Sequence, residues 1–390
     1  MVISSKTTLL YRLPLTPSFS QLPASPASPM ALEARLRLPL ARPTPATTFL
    51  SGSNPKSSHI SFSIKPTSTS LSAANAPPPI VVVGSANADI YVEVDRLPLV
   101  GETVAARAGH SLAGGKGANQ AACGGRLALG PTYLVARVGD DANGRLLEGA
   151  LADAGGVRLD RVARAPGAPS GHAVVMLMPD GQNSIIIVGG ANMEGWAAEV
   201  DPEDLDLIRQ AGVLLLQREI PDWVNIQVAQ AAKGAGVPVI LDAGGMDAPV
   251  PGELLGLVDI FSPNETELAR LTGMPTETFE QISQAAGACH KMGVKEVLVK
   301  LGSQGSALFV EGDEPIRQQI IPATEVVDTT GAGDTFTSAF AVALVEGKPK
   351  KECMRFAAAA ASLCVRVKGA IPSMPDRESV MSLLETVQAE

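Results

Sequence analysis

Residues 80–83 read Ile-Val-Val-Val and stop at Gly84, a continuous apolar run of the kind that forms a parallel strand buried on both faces. From residue 200 onward the same signal recurs at 213–217, 238–241, 259–262 and 296–301. Stretches with helical spacing lie between and around these runs, at roughly 202–211, 221–234, 251–257, 264–272 and 278–292. Alternating β and α predicts an α/β fold, a mostly parallel central sheet with helices on both faces.

Two stretches break the rhythm. Residues 91–112 and 172–188 alternate loosely, and Pro179-Asp180-Gly181-Gln182-Asn183 is a hairpin signal. These pieces, about 91–113 and 158–188, predict a small antiparallel β lid whose edges and faces suit pairing with a second copy of the chain. Between them come a glycine-rich turn at 113–117, a small-residue helix to 129, a strand at 132–138 and a helix at 144–154. Toward the end, 320–327 reads as a strand interrupted by Pro322, followed by a glycine turn and an apolar helix at 336–345. An alanine-rich packed helix at 352–365 and a last helix at 377–387 complete the folded region, 79–390.

Charge divides the chain in two. Residues 1–79 carry seven basic side chains (Lys6, Arg12, Arg35, Arg37, Arg42, Lys56, Lys65) and one acid, Glu33. The rest holds the other 24 basic and 39 acidic residues of a chain whose net charge is −9. The leading stretch also has 13 prolines and 23 Ser or Thr, without periodicity, so residues 1–75 are expected to be a disordered transit peptide directing the chain to the plastid stroma (chloroplast). The folded part, acidic and poor in aromatics, lacks the basic stripe of a nucleic-acid binder, and no apolar run is long enough to cross a bilayer. Cys123, Cys289, Cys353 and Cys364 show no C-x-x-C spacing and read as reduced core residues.

Candidate chemistry centres on Asp328-Thr329-Thr330-Gly331-Ala332-Gly333-Asp334-Thr335-Phe336. Glycines 331 and 333 allow close approach of a ligand, so backbone N–H groups can converge on an anion at the helix start. A carboxylate beside that anion suits proton abstraction from a hydroxyl attacking a phosphoryl group; it equally suits a helix cap, and both readings of Asp334 stand at this level. Asn87, Asp89, Glu219, Asn264 and Glu267 fall at the carboxyl ends of strands, where open α/β sheets bind ligands, though each alone could be a turn or cap residue. Gly114-Gly115-Lys116-Gly117-Ala118-Asn119 lacks Walker A spacing but could hold a polyhydroxylated ligand or a phosphate.

These motifs together resemble the ribokinase branch of the phosphofructokinase-B carbohydrate kinase family. The resemblance rests on Gly114 to Asn119 continuing to Gly139-Asp140-Asp141, on Asp328 to Asp334, and on Gly84-Ser85-Ala86-Asn87-Ala88-Asp89. Pro263-Asn264-Glu265-Thr266-Glu267, Leu301-Gly302-Ser303-Gln304-Gly305 and Lys368-Gly369-Ala370-Ile371-Pro372-Ser373 extend it. It implies a ribokinase-like fold and transfer of phosphate from ATP to the 5-hydroxyl of D-ribose. By that resemblance Asp334 is the base, and Gly331, Ala332 and Gly333 form the anion hole. Asn87, Ala88, Asp89, Gly115, Lys116, Gly117, Ala118, Asn119 and Glu219, with Asp334, would bind the sugar. Asn264, Lys300, Leu301, Gly302, Ser303, Gln304 and Gly305, with Gly333 and Asp334, would bind ATP. Glu267 would organise magnesium indirectly, and Asp328, Thr330, Cys364, Val367, Gly369 and Ser373 would hold potassium. A homodimer through the lid is expected, with no nucleic-acid or membrane partner. Ala358 replaces a His or Asn near the adenine in some relatives, and Val367 a common Arg. Fructose, adenosine or pseudouridine are alternative substrates, since the glycine turn is shared more widely; a non-catalytic scaffold is the class alternative, against which the intact turn and Asp334 stand.

Overall fold

The computed structural model describes residues 77–179 and 183–389. The expected leader, 1–75, and the hairpin tip, 180–182, lie outside the described residues.

Ten strands form the main sheet, and the first in sequence sits inside it. Ile80–Val83 pairs in parallel with Thr132–Gly139 on one side and Val213–Arg218 on the other. Beyond Val213–Arg218 the order runs Val239–Gly245, Ile260–Ser262 and Glu296–Lys300, all parallel, then Ser306–Val310 and Ile316–Gln318, both antiparallel. The two short strands Val157–Arg158 and Val162–Ala165 pair with the other edge, Thr132–Gly139, so the lid's second piece begins at Gly171 rather than near 158.

The apolar run at 80–83 is explained by burial on both faces. Ile80 and Val82 pack beneath the helices Lys116–Leu127, Ala332–Val345 and Lys350–Cys364. Val81 and Val83 pack with Ile208, Val224 and Val228 on the opposite face. Ala357, Ala359 and Ala360 are fully buried, which lets Lys350–Cys364 lie close against Ala332–Val345. The four cysteines are free and buried.

A second sheet of four strands has the order Ala108–Gly114, Asn87–Glu93, Gly171–Leu177, Asn183–Val188. Its outer pairs are antiparallel and its middle pair parallel. Asn87 and Asp89 therefore belong to a lid strand, two positions apart and so on the same face, rather than to a turn after the first strand.

One expected strand is absent. Residues 320–327 form no ladder; the strand nearby is the earlier Ile316–Gln318. Pro322 lacks an N–H for a ladder, and the N–H groups of Val327 and Asp328 instead donate to the Val365 carbonyl at 2.8 and 3.1 Å. The edge strands Val157–Arg158 and Val162–Ala165, the strand Ser306–Val310, and the short helices Ala191–Glu194 and Ala370–Ser373 were not expected from the pattern. All are short, and Ser306–Val310 is antiparallel at the end of a parallel series.

Candidate active site

Gly331 sits at φ 79° and ends the turn so that the helix Ala332–Val345 starts immediately beyond it. Helix geometry leaves the N–H groups of Gly333 and Asp334 without acceptors inside the helix. No side chain caps this start. Asp334, only 5% exposed, turns its carboxylate the other way: Oδ2 accepts from Asn119 Nδ2 at 2.9 Å and Oδ1 from Gln120 Nε2 at 3.2 Å. The Lys116 ammonium stands 3.5 Å from Oδ1. The capping reading of Asp334 thus gives way to a carboxylate aimed at the first turns of the helix Lys116–Leu127.

Gln120 is held in turn. Its Oε1 accepts from Gln217 Nε2 at 2.7 Å, which fixes the amide so that its N–H₂ faces Asp334. Neither glutamine was expected, because their partners are far away in sequence.

The glycine-rich turn at 114–117 supplies the opposite wall. Gly117 lies so close to the strand-end backbone that a Cβ there would stand 2.6 Å from the Ser85 nitrogen. Lys116–Leu127 begins at this contact, placing Lys116, Asn119 and Gln120 on the inner face. Glu219 Oε2 accepts from the Lys116 N–H at 3.0 Å, from Asn87 Nδ2 at 3.3 Å and from the Ser85 hydroxyl. Buried Asn192, also unforeseen, donates to Asn87 Oδ1 at 2.7 Å and accepts from the Ala86 N–H at 3.0 Å.

Part of this set lines a cavity of about 720 Å³; Asp334 itself is not among the lining residues. Asn87, Asp89, Gly115, Lys116, Asn119 and Glu219 face it; Ala88 and Ala118 are fully buried behind it and Gly117 is also buried. The lid covers the cavity with Ala173, Val175, Leu177, Ile185 and Ile187, an apolar ceiling over a polar floor. Burial, and then the neighbouring Glu219 carboxylate, push Asp89 up to about 7.

Behind the floor lies Asp242, wholly buried at the end of Val239–Gly245. Its Oδ1 is 3.1 Å from the Lys116 ammonium and its Oδ2 is 2.6 Å from the Lys300 ammonium. Burial alone would raise its carboxyl, but the two ammonium groups outweigh that and hold it well below the usual range. Lys116 is likewise opposed by burial and kept charged by Asp242, Asp334, Glu219 and Glu267.

On the far side of the glycine turn a second cleft, of about 400 Å³, is lined by Gly302, Ser303, Gly305, Ala332 and Phe336, with Ala358 on its wall. Ile320, Ile321 and Val326, from the stretch expected to be a strand, form its apolar edge. Leu301 and Gln304 lie in the same turn without lining the cleft, while Asn264 bridges to Lys300 through the backbone. Asn264 and Glu267 form a reciprocal capping box at 2.8 Å each way, and the other Glu267 oxygen faces Gly244 at the site. The residue is thus both a cap and a neighbour of Lys116.

Asp328, Thr330 and Gly369 meet beside the cavity. The Asp328 carboxylate accepts from the N–H groups of Thr330 and Gly369, each at 2.9 Å, and is held low despite its partial burial. Cys364 Sγ and Ser373 Oγ lie 3.1 Å apart, and Cys364 Sγ is 3.9 Å from the Thr330 carbonyl. The Asp328 carboxylate is thus held by backbone N–H groups, with the Thr330 carbonyl turned toward Cys364. Val367 is 44% exposed, and its N–H donates to the Cys364 carbonyl at 3.2 Å. Among the described residues no cluster of three His, Cys, Asp or Glu could hold a metal, and no helix is long and apolar enough to cross a membrane.

A family model described as pfkB family carbohydrate kinase matches residues 78–377. The ribokinase of Arabidopsis thaliana is 70% identical over 309 residues, which is 79% of this chain and 81% of that protein. A solved structure of Arabidopsis thaliana ribokinase complexed with ribose and ATP matches with a TM-score of 0.77, covering 79% of this chain and 99% of that one. A ribokinase from Thermotoga maritima, 34% identical, matches with a TM-score of 0.71, covering 79% and 99%.

Proposed function

Because this chain belongs to the pfkB family of carbohydrate kinases, we propose that it is an ATP-dependent kinase of D-ribose, giving ribose 5-phosphate and ADP. The observation that carries the reading is the position of Asp334, buried between the polar cavity and the glycine turn, in a chain 70% identical to a relative whose structure holds ribose and ATP. Ribose occupies the 720 Å³ cavity, with Asn87, Asp89, Lys116, Asn119 and Glu219 on its hydroxyls. Its 5-hydroxyl faces Asp334. As that oxygen attacks the terminal phosphorus, Asp334 takes its proton, the bond to the bridging oxygen breaks, and ADP leaves. The N–H groups of Gly333 and Asp334 stabilise charge on the phosphoryl oxygens. Adenine fits the 400 Å³ cleft, where Ala358 offers no side-chain hydrogen bond.

Magnesium would travel with the triphosphate near Asn264 and Glu267, neutralising phosphate charge. Potassium would be held by Asp328, Thr330, Cys364, Gly369 and Ser373, with Val367 contributing its carbonyl, and would strengthen the backbone dipoles of the adjoining turn. Ile186 and Val188, exposed on the lid face opposite the cavity, support a homodimer there.

One coupled assay over a panel of sugars and nucleosides tests the substrate and the cation together. Ribose is expected to give the highest kcat/KM, and the rate to rise with potassium over a large inert cation. The same assay carries a pH signature. With Asp89 near 7, its carboxylate is ionised and accepts sugar hydroxyls above that value, and is protonated below it. The KM for ribose is expected to rise several-fold from pH 8 to pH 6, a trend that Asp89→Asn should abolish. A fructose or nucleoside preference would refute the substrate. Residues 1–75, basic and hydroxyl-rich, are proposed to carry the chain to the plastid; a fluorescent fusion of that segment is expected to enter plastids, and cytosolic retention would refute it.

A further inference from the structure

We propose that Lys300 binds the terminal phosphate of the nucleoside triphosphate, and that buried Asp242 is the positioning residue holding its ammonium group at the edge of the glycine turn. This rests on the kinase reading above, which already places Lys300 with the nucleotide, and goes further by giving it one phosphate and giving Asp242 the task of holding it.

Asp242 offers one negative charge to two ammonium groups, Lys116 at 3.1 Å and Lys300 at 2.6 Å. Lys116 has a second carboxylate, Asp334, at 3.5 Å. Among the described residues Lys300 has no ion-pair partner besides Asp242, although its side chain is only 13% exposed. A mostly buried cation that shares its counter-charge favours an incoming anion. The direction in which that anion lies follows from the turn. The Lys300 ammonium is 4.0 Å from where a Cβ on Gly333 would stand, so it borders the N–H groups that open the helix. A phosphate seated on those groups meets the ammonium.

The anchor is rigid. Asp242 Oδ2 also accepts from Thr337 Oγ1 at 3.1 Å, and Oδ1 from the Gly244 N–H at 3.0 Å. The Lys300 N–H donates to the Pro263 carbonyl at 2.9 Å, tying its backbone to the strand end that bears Asn264. Thr337 lies on the same helix as Asp334, so base and lysine are referred to one frame. The phosphate beside Asp334 is the one transferred. Lys300 should therefore recognise a triphosphate and ignore a diphosphate, whose phosphates end short of the turn.

The test compares equilibrium binding of ADP and of a non-hydrolysable β,γ-imido analogue of ATP, both with magnesium, in the full chain and its Lys300→Met, Lys300→Arg and Asp242→Asn variants. Lys300→Met is expected to weaken the analogue by about 10-fold and ADP by less than about twofold, and to lower kcat by about 10²–10³-fold. Lys300→Arg should recover most of both. Asp242→Asn, which leaves the lysine but frees it, should lower the triphosphate preference part of the way, and if that variant does not fold the two Lys300 variants decide. Equal weakening of both nucleotides, or a kcat for Lys300→Met within a few-fold of wild type, would overturn the proposal. Binding requires no sugar, so a wild-type chain inactive on ribose would refute the substrate and leave this result readable.

Discussion

Asp334→Asn is expected to lower kcat for ribose and ATP by about 10²–10⁴-fold, the usual range for loss of a general base. The substitution keeps the size of the side chain but removes an acceptor for the attacking hydroxyl's proton. It also has a structural side. Both carboxylate oxygens accept from amide N–H₂ groups, those of Asn119 and Gln120, so an amide at 334 turns one contact into donor against donor. That mismatch costs about 1–3 kcal/mol, visible as a modest fall in thermal midpoint. Nucleotide binding should change little, because the cleft on the other side of the turn is untouched. Near-normal turnover in a folded variant would remove Asp334 from the mechanism.

The second large effect is expected from Gly117→Ala, which adds a single methyl group outside both pockets. That methyl would stand 2.6 Å from the Ser85 nitrogen and 2.7 Å from the Gly84 carbonyl carbon and the Ser85 oxygen, all backbone. Backbone cannot rotate away, so the start of the helix Lys116–Leu127 has to move. Lys116, Asn119 and Gln120 move with it, and Asp334 loses its two amide donors together. A displacement near 1 Å is enough to cost about 10²-fold, so kcat/KM should fall at least that far, with about 1–3 kcal/mol of stability lost to overpacking. Gly149→Ala is the control. It lies inside the exposed side of Ala142–Ala154 with nothing within 4 Å of the added carbon, and should be neutral or stabilise by about 0.5–1 kcal/mol. Similar activity losses in both variants would refute the steric argument.

The parts of the site carried by local pattern were legible in the sequence. A glycine turn between strand and helix, polar residues at strand ends and the small-residue turn at 113–117 announce themselves within ten residues. Gln120, Gln217, Asn192 and Asp242 did not, because each matters through a partner about 100 residues or more away. Asp242 in particular follows three apolar residues of its strand and stands shortly before two glycines, as many turn acids do, and only the packed sheet brings Lys116 and Lys300 to it. The fold was legible on the same terms. Strands buried on both faces stand out as apolar runs, whereas the edges Val157–Arg158 and Ile316–Gln318 are too short to show a period. The apolar residues at 320–327 looked like a strand, but Ile320, Ile321 and Val326 edge a cleft instead of joining a ladder, and of these only Ile321 is buried.

The interior place of Ile80–Val83 governs the order in which the molecule can assemble. Val81 requires Tyr133 on one side and Leu214 on the other, so during synthesis the four apolar residues emerge long before the second edge they must meet. Until then they present an unpaired, uncharged strand, the type of segment most prone to stick to other chains. Closing such distant contacts is slow, because the loop entropy must be overcome before the sheet gains anything from pairing. Asp334 arrives later still, on a helix that packs over the same strand. A nascent chain halted before residue 334 therefore holds most of the polar cavity's floor and lacks Asp334.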